Sequence, residues 1–156
     1  MPTGQVVSIH IAPAAAEPLM AVETVRAVPG KGLEGDRYFT QTGTFSKPSP
    51  DCEVTLIETE ALQWLQQHQG ISLAPGANRR NIVTHGIALN DLVDREFRIG
   101  AVTLRGIRLC EPCAHLEKLT RPGVVPGLTH RGGLRAQILV EGVIHIGDAI
   151  EEMSRP

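Results

Sequence analysis

The abundance of Val and Ile is the feature that most constrains how this chain can fold. These two residue types number 25 of the 156 residues, while Gly and Pro together number 27 and the aromatic residues only five. Side chains branched at Cβ favour extended backbone, and Gly and Pro divide regular structure into short pieces. The sequence therefore predicts a mainly β (α+β) chain of short strands joined by many turns.

The alternation of apolar and polar residues predicts about seven or eight strands. They are expected at residues 4–11, 19–28, 53–58, 80–86 and 97–109, and as two strands within 134–152 around Glu141–Gly142. The alternation in 97–109 slips by one residue at Gly106, which indicates a β-bulge. A small closed β-barrel of about seven strands pairs each strand on both sides and so leaves no free sheet edge.

One or two short helices complete the prediction. Ala61, Trp64, Leu65 and His68 fall on one face at helical spacing, and Gly70 is a typical helix terminator. A second short helix is expected at residues 114–119. Residues 29–39 are rich in Gly and are expected to be largely irregular, and residues 40–51 are expected to continue as a loop.

Charge and composition exclude several function classes. The 15 basic and 17 acidic residues give a net charge of −2 at pH 7, whereas nucleic-acid binding usually needs a basic excess. Five aromatic residues are also too few for a base-stacking platform. No apolar run is long enough for a membrane helix, and the N-terminal residues show no signal-peptide pattern. We therefore expect one cytoplasmic domain over residues 1–156, with no nucleic-acid or membrane partner.

The chemistry is expected in IRLCEPCAHLEKL, residues 107–119. If a helix begins directly after Cys113, the free backbone N–H groups and the helix dipole stabilise the Cys113 thiolate. Arg108 and His115 add positive charge nearby. An accessible thiolate of this kind serves as a nucleophile or as a ligand for a soft metal.

Two other interpretations of the cysteines stay open at this point. Cys110 and Cys113 form a C-x-x-C pair typical of dithiol redox sites, although this pair comes late in a strand-rich chain. With His115 they offer three zinc ligands, one fewer than a structural zinc site normally uses, so no zinc is expected. For Cys110, and for Cys52 beside a core strand, a buried apolar role is the more common one.

Four segments occur in an order that resembles the MOSC domain, the family named after the C-terminal domain of molybdenum cofactor sulfurase. They are KGLEGDRYF at 31–39, RRNIVTHGIALNDL at 79–92, the Pro112–Cys113 pair, and HRGGLRAQILVEGVIHIGDAI at 130–150. The resemblance covers about residues 4–150. It implies a compact β-barrel, similar to the barrel domain of pyruvate kinase, and agrees with the strand pattern.

The resemblance also implies the site. The family cysteine matches Cys113, which in some relatives is proposed to carry sulfur as a persulfide and in others ligates molybdenum in a bound pterin cofactor. His115 is the best-placed proton donor. The cofactor phosphate would be bound by cations and amides, which the resemblance assigns to Lys31, Arg37, Arg79, Arg80, Asn81 and Arg131.

Three functions follow from this resemblance as rival hypotheses. In the first, the protein binds the molybdenum-pterin cofactor and reduces N-hydroxylated small molecules as an oxidoreductase. In the second, it is a sulfurtransferase-like carrier that holds a persulfide on Cys113 without molybdenum. In the third, it only recognises the pterin. Larger relatives carry additional domains, so a cysteine desulfurase or an electron-donor protein is expected as a partner.

Overall fold

The computed structural model describes residues 3–12, 19–36, 39, 53–73, 79–110 and 131–153. In this part of the chain eleven strands, one α-helix and one 3-10 helix are defined. The elements in chain order are β1 (Thr3–Ile11), β2 (Met20–Val22), β3 (Thr24–Val28), β4 (Gly32–Leu33), β5 (Val54–Glu58), α1 (Thr59–Gln69), β6 (Ile82–His85), the 3-10 helix (Leu89–Leu92), β7 (Glu96–Ile99), β8 (Val102–Leu109), β9 (Leu134–Val140), β10 (Gly142–His145) and β11 (Ala149–Glu152).

Seven of the strands close into a barrel, as the sequence predicts. They are hydrogen-bonded in the order β11–β7–β8–β9–β5–β6–β1, and β1 pairs with β11 to complete the ring. All neighbouring pairs in the ring are antiparallel except β5 and β6, which are parallel and are connected through α1. The strand β2 extends the sheet from β1, and β10, β3 and β4 form a separate three-stranded sheet.

The barrel is filled almost entirely by aliphatic side chains, with one aromatic ring among them. We call this cluster the barrel core; it includes Ile9, Leu56, Ile82, Phe97 and Leu104, all fully buried. The alternation of buried and exposed residues along β7 and β8 shows why these segments form strands with one face inward. The helix α1 covers the outside of the barrel.

The predicted bulge at Gly106 is confirmed. The register between β8 and β9 shifts between Gly106 and Arg108. A Cβ atom at Gly106 would lie 2.0 Å from the carbonyl oxygen of Leu92. Only glycine therefore lets the end of the 3-10 helix approach β8 at this point.

Three segments predicted as continuous are divided by turns. The backbone bends at Glu23 within 19–28 and at Gly100–Ala101 within 97–109, so each segment contains two strands. The second of the two strands predicted within 134–152 is also divided, into β10 and β11, because Gly147 adopts a positive φ of 93° and Asp148 Oδ2 accepts the His145 N–H at 2.8 Å. The irregular segment 29–39 contains the two-residue strand β4.

The helix prediction is confirmed in its position and wrong in part of its face. Gly70 ends α1 in the left-handed conformation, with φ 65°. Ala61 and Leu65 are buried, but Trp64 is only half-buried and His68 is exposed. The His68 ring stacks on the Trp64 ring, with centroids 4.4 Å apart, instead of facing the barrel.

Candidate functional site

One row of cross-strand partners passes through the region where the predicted site residues lie. Leu109 of β8 pairs with Leu134, Leu134 with Leu56, Leu56 with Ile82, and Ile82 with Ile9 of β1. Four buried polar residues border this row, and we call them the polar seam: His10, Thr55, Arg80 and Asn81. Two of them, Arg80 and Asn81, are predicted cofactor ligands.

Asn81 directly precedes β6 and links the two strands that lie on either side of it, β5 and β1. Its Oδ1 accepts the Thr55 N–H at 3.0 Å and the Thr55 hydroxyl at 3.1 Å, and its Nδ2 donates to the His10 carbonyl at 3.1 Å. The His10 N–H donates in turn to the Asn81 carbonyl at 2.6 Å. Asn81 therefore holds β1 and β5 together at the start of β6, where the regular ladder begins.

Arg80 binds the backbone carbonyls of two residues that lie on either side of residues 111–130 in the sequence. Its side chain is buried, with 7% of its surface exposed. Nε donates to the Gly132 carbonyl at 2.7 Å, and Nη2 donates to the Cys110 carbonyl at 3.0 Å. These two residues precede and follow residues 111–130, which we call the cysteine segment because Cys113 lies in it.

The described residues on both sides of the cysteine segment lie at adjacent points of two paired strands, β8 and β9. Cys110 directly follows Leu109, and its N–H donates to the Gly133 carbonyl at 2.7 Å. Gly133 has a φ of 110°, and a Cβ atom there would lie 1.8 Å from the Leu56 carbonyl oxygen. Gly133 therefore lies so close to β5 that no residue with a side chain can replace it.

The interpretation of Cys110 as a buried strand-ending residue is confirmed. Cys110 is a free thiol with 2% of its surface exposed. A thiol buried in this way is shielded from small oxidants and from metal ions in solution. Cys52 lies outside the described residues, as do both Cys113 and His115, so the dithiol and zinc interpretations stay predictions.

The remaining predicted cations differ in their surroundings. Lys31 is exposed on the turn after β3, with its Nζ 5.5 Å from the centroid of the Phe39 ring. Arg131 is also exposed, and its guanidinium lies 3.7 Å from the centroid of the Trp64 ring. Arg79 is half-buried with a positive φ of 64°, and Arg37 lies outside the described residues. Among these residues, Arg80 binds residues on both sides of the cysteine segment, Arg79 and Asn81 are its neighbours in the chain, and Arg131 directly precedes Gly132.

Three buried polar residues at this site are absent from the sequence-based prediction. His10 has its Nε2 2.8 Å from the Ser8 hydroxyl, and its Nδ1 has no partner in the described part of the chain. Burial lowers the pKa of His10, so the ring is neutral at pH 7. Asp36 accepts the Ala12 N–H through Oδ1 at 3.0 Å, and Thr55 binds Asn81. Of these, only Asp36 has a sequence signal, because it follows the Gly-rich turn.

Two further features are absent from the described residues, a metal-binding cluster and a membrane-spanning helix. Within the described ranges, no group of three or more His, Cys, Asp or Glu side chains could hold a metal ion. Among the helices in the same ranges, none is long and apolar enough to cross a membrane.

The described strands form a small seven-stranded barrel, and the buried Arg80 binds the backbone of Cys110 and of Gly132 at its wall. The family model of the MOSC domain matches residues 40–151. The chain therefore belongs to the MOSC domain family, as its four ordered segments predict.

Solved structures with the same fold share little sequence with this chain. The YuaD protein from Bacillus subtilis is similar over 100% of both chains, with a TM-score of 0.78 and 16% identity. YiiM from Geobacillus stearothermophilus matches over 97% of this chain and 76% of its own, with a TM-score of 0.72 and 18% identity. YiiM from Escherichia coli matches over 100% and 71%, with a TM-score of 0.67 and 18% identity. No functionally curated protein gives a significant match.

The MOSC family is associated with the molybdenum-pterin cofactor, and the polar seam tests whether this chain suits it. The described hydrogen bonds of Arg80 go to two backbone carbonyls and use two of its five N–H donors, and those of Asn81 go to Thr55 and to the His10 carbonyl. These described contacts are all made to the protein itself, and the cofactor role of the two side chains stays a prediction. The exposed Lys31 and Arg131 make no such bonds to carbonyls in the described part.

Proposed function

We propose that this MOSC-domain protein works through the thiolate of Cys113 and that it carries sulfur there as a persulfide for a metal cofactor. Membership of the family supports the assignment of Cys113. The observation that carries the proposal is the hydrogen bond from the Cys110 N–H to the Gly133 carbonyl, which joins described residues from the two sides of the cysteine segment at the barrel wall. A carrier needs a thiol that a partner protein can reach, and it needs no bound phosphate group at Arg80 or Asn81.

The transfer step involves no net oxidation. The Cys113 thiolate attacks the outer sulfur of a persulfide on a donor such as a cysteine desulfurase. A new S–S bond forms at Cys113, the S–S bond of the donor breaks, and the donor cysteine leaves as a thiolate. In the delivery step a nucleophile of the acceptor takes the outer sulfur, and the Cys113 thiolate is the leaving group. His115 would supply or take up protons in these exchanges.

A second candidate function is binding of the molybdenum-pterin cofactor, with Cys113 as the metal ligand. The exposed cations Lys31 and Arg131 favour it, because neither side chain donates to a carbonyl in the described part of the structure. Arg37 and Arg79 would complete the cation set that the family resemblance suggests. In its enzymatic form this protein would reduce N-hydroxylated small molecules.

Sulfur loading separates the two candidates. The purified protein is incubated with a cysteine desulfurase and L-cysteine, and the persulfide is measured as thiocyanate released by cyanide and as a mass increase of one sulfur atom. We expect loading of the wild type and of Cys110→Ala, whose buried thiol is not exchanged, and no loading of Cys113→Ser. Cys110→Ala is the matched control, because it keeps both backbone hydrogen bonds of residue 110.

Two results would overturn the carrier function. One is equal loading of Cys113→Ser and the wild type, which would place the sulfur elsewhere. The other is protein purified from cofactor-producing cells with about one molybdenum per chain and no releasable sulfane sulfur, which would establish the second candidate instead.

A further inference from the structure

A cavity lies beside α1, between the helix and the chain that follows it. Gly70 ends the helix in the left-handed conformation, and its N–H donates to the Gln66 carbonyl at 3.0 Å. The next N–H, that of Ile71, donates to the Leu65 carbonyl at 3.5 Å. This helix end reverses the chain, and residues 71–73 then pack against Leu65 through their two apolar side chains. The returning residues thus form a second wall opposite the flank of α1.

The wall of this cavity is amphipathic and carries no charge among its described residues. The volume of the cavity is about 140 Å³. Three leucines supply the apolar part of the wall, and two hydroxyl and two amide side chains supply the polar part: Leu62, Leu65 and Leu73, and Thr59, Ser72, Gln63 and Gln66. The exposed side chains of Gln63, Gln66 and Ser72 mark the side on which the cavity opens to solvent. The whole sequence 61–78 contains no Asp, Glu, Lys or Arg.

Thr59 carries a buried polar atom that lacks a partner. Its Oγ1 is buried and makes no hydrogen bond in the described part of the structure. Thr59 is the first residue of α1, and Glu58 before it makes no side-chain capping bond either. A hydroxyl that is removed from water without a hydrogen bond is unfavourable, and most buried hydroxyls are therefore paired. Because Thr59 lines the cavity, its unpaired hydroxyl indicates that the cavity receives a polar group.

Size, charge and polarity together define the class of ligand. An apolar cavity of about 150 Å³ holds one benzene molecule, so this cavity suits a ligand of about six non-hydrogen atoms. A charged ligand would leave water without meeting an opposite charge on the described wall, which is unfavourable. The leucines require a short aliphatic part. The hydroxyl of Thr59 and the amides of Gln63 and Gln66 require a group that both accepts and donates hydrogen bonds.

We propose that the cavity beside α1 is a binding site for a small uncharged amphiphile, namely a short-chain carboxamide, whose amide group pairs with the Thr59 hydroxyl. The site is independent of the proposed function, because its described residues include none from the polar seam. It is also distinct from the contact between Arg131 and Trp64. Since each helical residue advances by about 100°, Trp64 lies on the other side of α1 from Thr59, Leu62 and Gln66.

The test follows the backbone amides of the whole protein by two-dimensional ¹H–¹⁵N NMR during a titration with butyramide. This probe has six non-hydrogen atoms, a propyl chain for the leucines and an amide group for Thr59. We expect saturable shifts centred on α1 and residues 70–73, with a dissociation constant in the millimolar range, as suits so small a ligand. Butyrate has the same size and a charge, and acetamide lacks the propyl chain. Both should bind about tenfold more weakly or not at all.

Two variants locate the interaction within the cavity. Thr59→Val keeps the shape of the side chain and removes the hydroxyl, so it should weaken butyramide binding about tenfold. It should not lower the Tm, because the hydroxyl has no described partner to lose. Gln63→Ala should also weaken binding. The matched control is Gln67→Ala, the same change at an exposed position of α1 that is not among the described lining residues, and it should bind butyramide like the wild type.

Several results would overturn the proposal. Butyramide shifts that do not saturate, or that lie away from α1 and residues 70–73, would mean that the cavity is not a binding site. Binding of butyrate or acetamide as tightly as butyramide would contradict the ligand class. Wild-type affinity in Thr59→Val would show that its hydroxyl takes no part. Should Thr59→Val be recovered unfolded, the difference between Gln63→Ala and Gln67→Ala decides the question, and equal affinities of these two would refute the site.

Discussion

The barrel core and the polar seam are adjacent, and both are almost completely buried, yet they stabilise the protein by different means. The barrel core is a cluster of aliphatic side chains and Phe97 that gains stability by leaving water. The polar seam gains little from burial itself, since each of its groups must replace bonds to water with bonds to the protein. The stability of the barrel core therefore depends on how well its side chains fill the available volume, and that of the polar seam on whether each polar group has a hydrogen-bond partner.

This difference explains why the RRN sequence at 79–81 resembles a ligand-binding site. Arg and Asn at the start of a strand would ordinarily be solvated or would bind a ligand. Here the surrounding backbone offers groups that bind these side chains, namely the Thr55 N–H and the carbonyls of His10, Cys110 and Gly132. Arg and Asn can bind an anionic cofactor, and they can equally bind backbone groups that lack a partner in the strand pairing.

Truncation in the barrel core should have the largest effect. Phe97 is the only Phe, Tyr or Trp that is fully buried among the described residues. Phe97→Ala should lower the free energy of unfolding by about 3–5 kcal/mol, because it removes apolar contacts and leaves a cavity. Urea denaturation measures this, with the exposed neighbour Arg98→Ala as a control expected within about 0.5 kcal/mol of wild type. A loss below about 1 kcal/mol would mean that the barrel core does not depend on this ring.

Removal of one side chain from the seam should have the next largest effect. Asn81→Ala leaves two donors of Thr55 and the His10 carbonyl without their partner, so we expect a loss of about 2–4 kcal/mol. Gln66→Ala removes a side-chain amide at an exposed position of α1 and serves as the control in the same denaturation experiment.

This variant is also the sharpest way to break the comparison. If Asn81 is chiefly a cofactor ligand, Asn81→Ala will unfold like the wild type and will lose only ligand binding. If the variant is as stable as the wild type, Asn81 is a cofactor ligand and not a structural residue of the polar seam.

The barrel could be predicted because its determinants are local. Alternation and Gly–Pro punctuation place most of the strands, and the slip at Gly106 identifies the bulge. The turns at Glu23, Gly100 and Gly147 could not be predicted in this way, because the apolar pattern continues across them. Only the pairing of the folded strands shows where each strand bends. His68 was misplaced for a related reason: its spacing fits the buried face, but stacking on Trp64 keeps it outside.

The site was less predictable than the barrel. The sequence suggests which residues are polar and clustered, but not which backbone groups will lack partners after folding. For that reason the contacts of Arg80 and Asn81 with the backbone, and the burial of His10 and Asp36, could not be read from the pattern. Cys110 was predicted correctly because a small apolar residue at the end of a strand needs only to be buried.

Glu53 gives the smallest expected effect and tests the boundary between the two regions. It is buried just before β5, and its Oε1 accepts the N–H of Ile138, a residue of the barrel core. Burial raises the pKa of Glu53, and backbone hydrogen bonds from Ile138 and Gly30 only partly oppose this. The folded state therefore binds a proton more tightly than the unfolded state does.

The sign of the pH dependence follows from that raised pKa. The contribution of Glu53 to stability is complete below the pKa of the unfolded state and is lost as the pH rises through the higher pKa of the folded state. Glu53→Gln, which cannot titrate, should remove this part of the decline, so the unfolding free energies of variant and wild type should change relative to each other between about pH 4 and neutral pH, in favour of the variant. If the unfolding free energies of the variant and the wild type, measured by urea denaturation, differ by a constant amount across that pH range, Glu53 is ionised as easily as in water. A buried carboxylate beside the barrel core would then be as well paired as the groups of the polar seam, and the contrast between the two regions would not extend to charge.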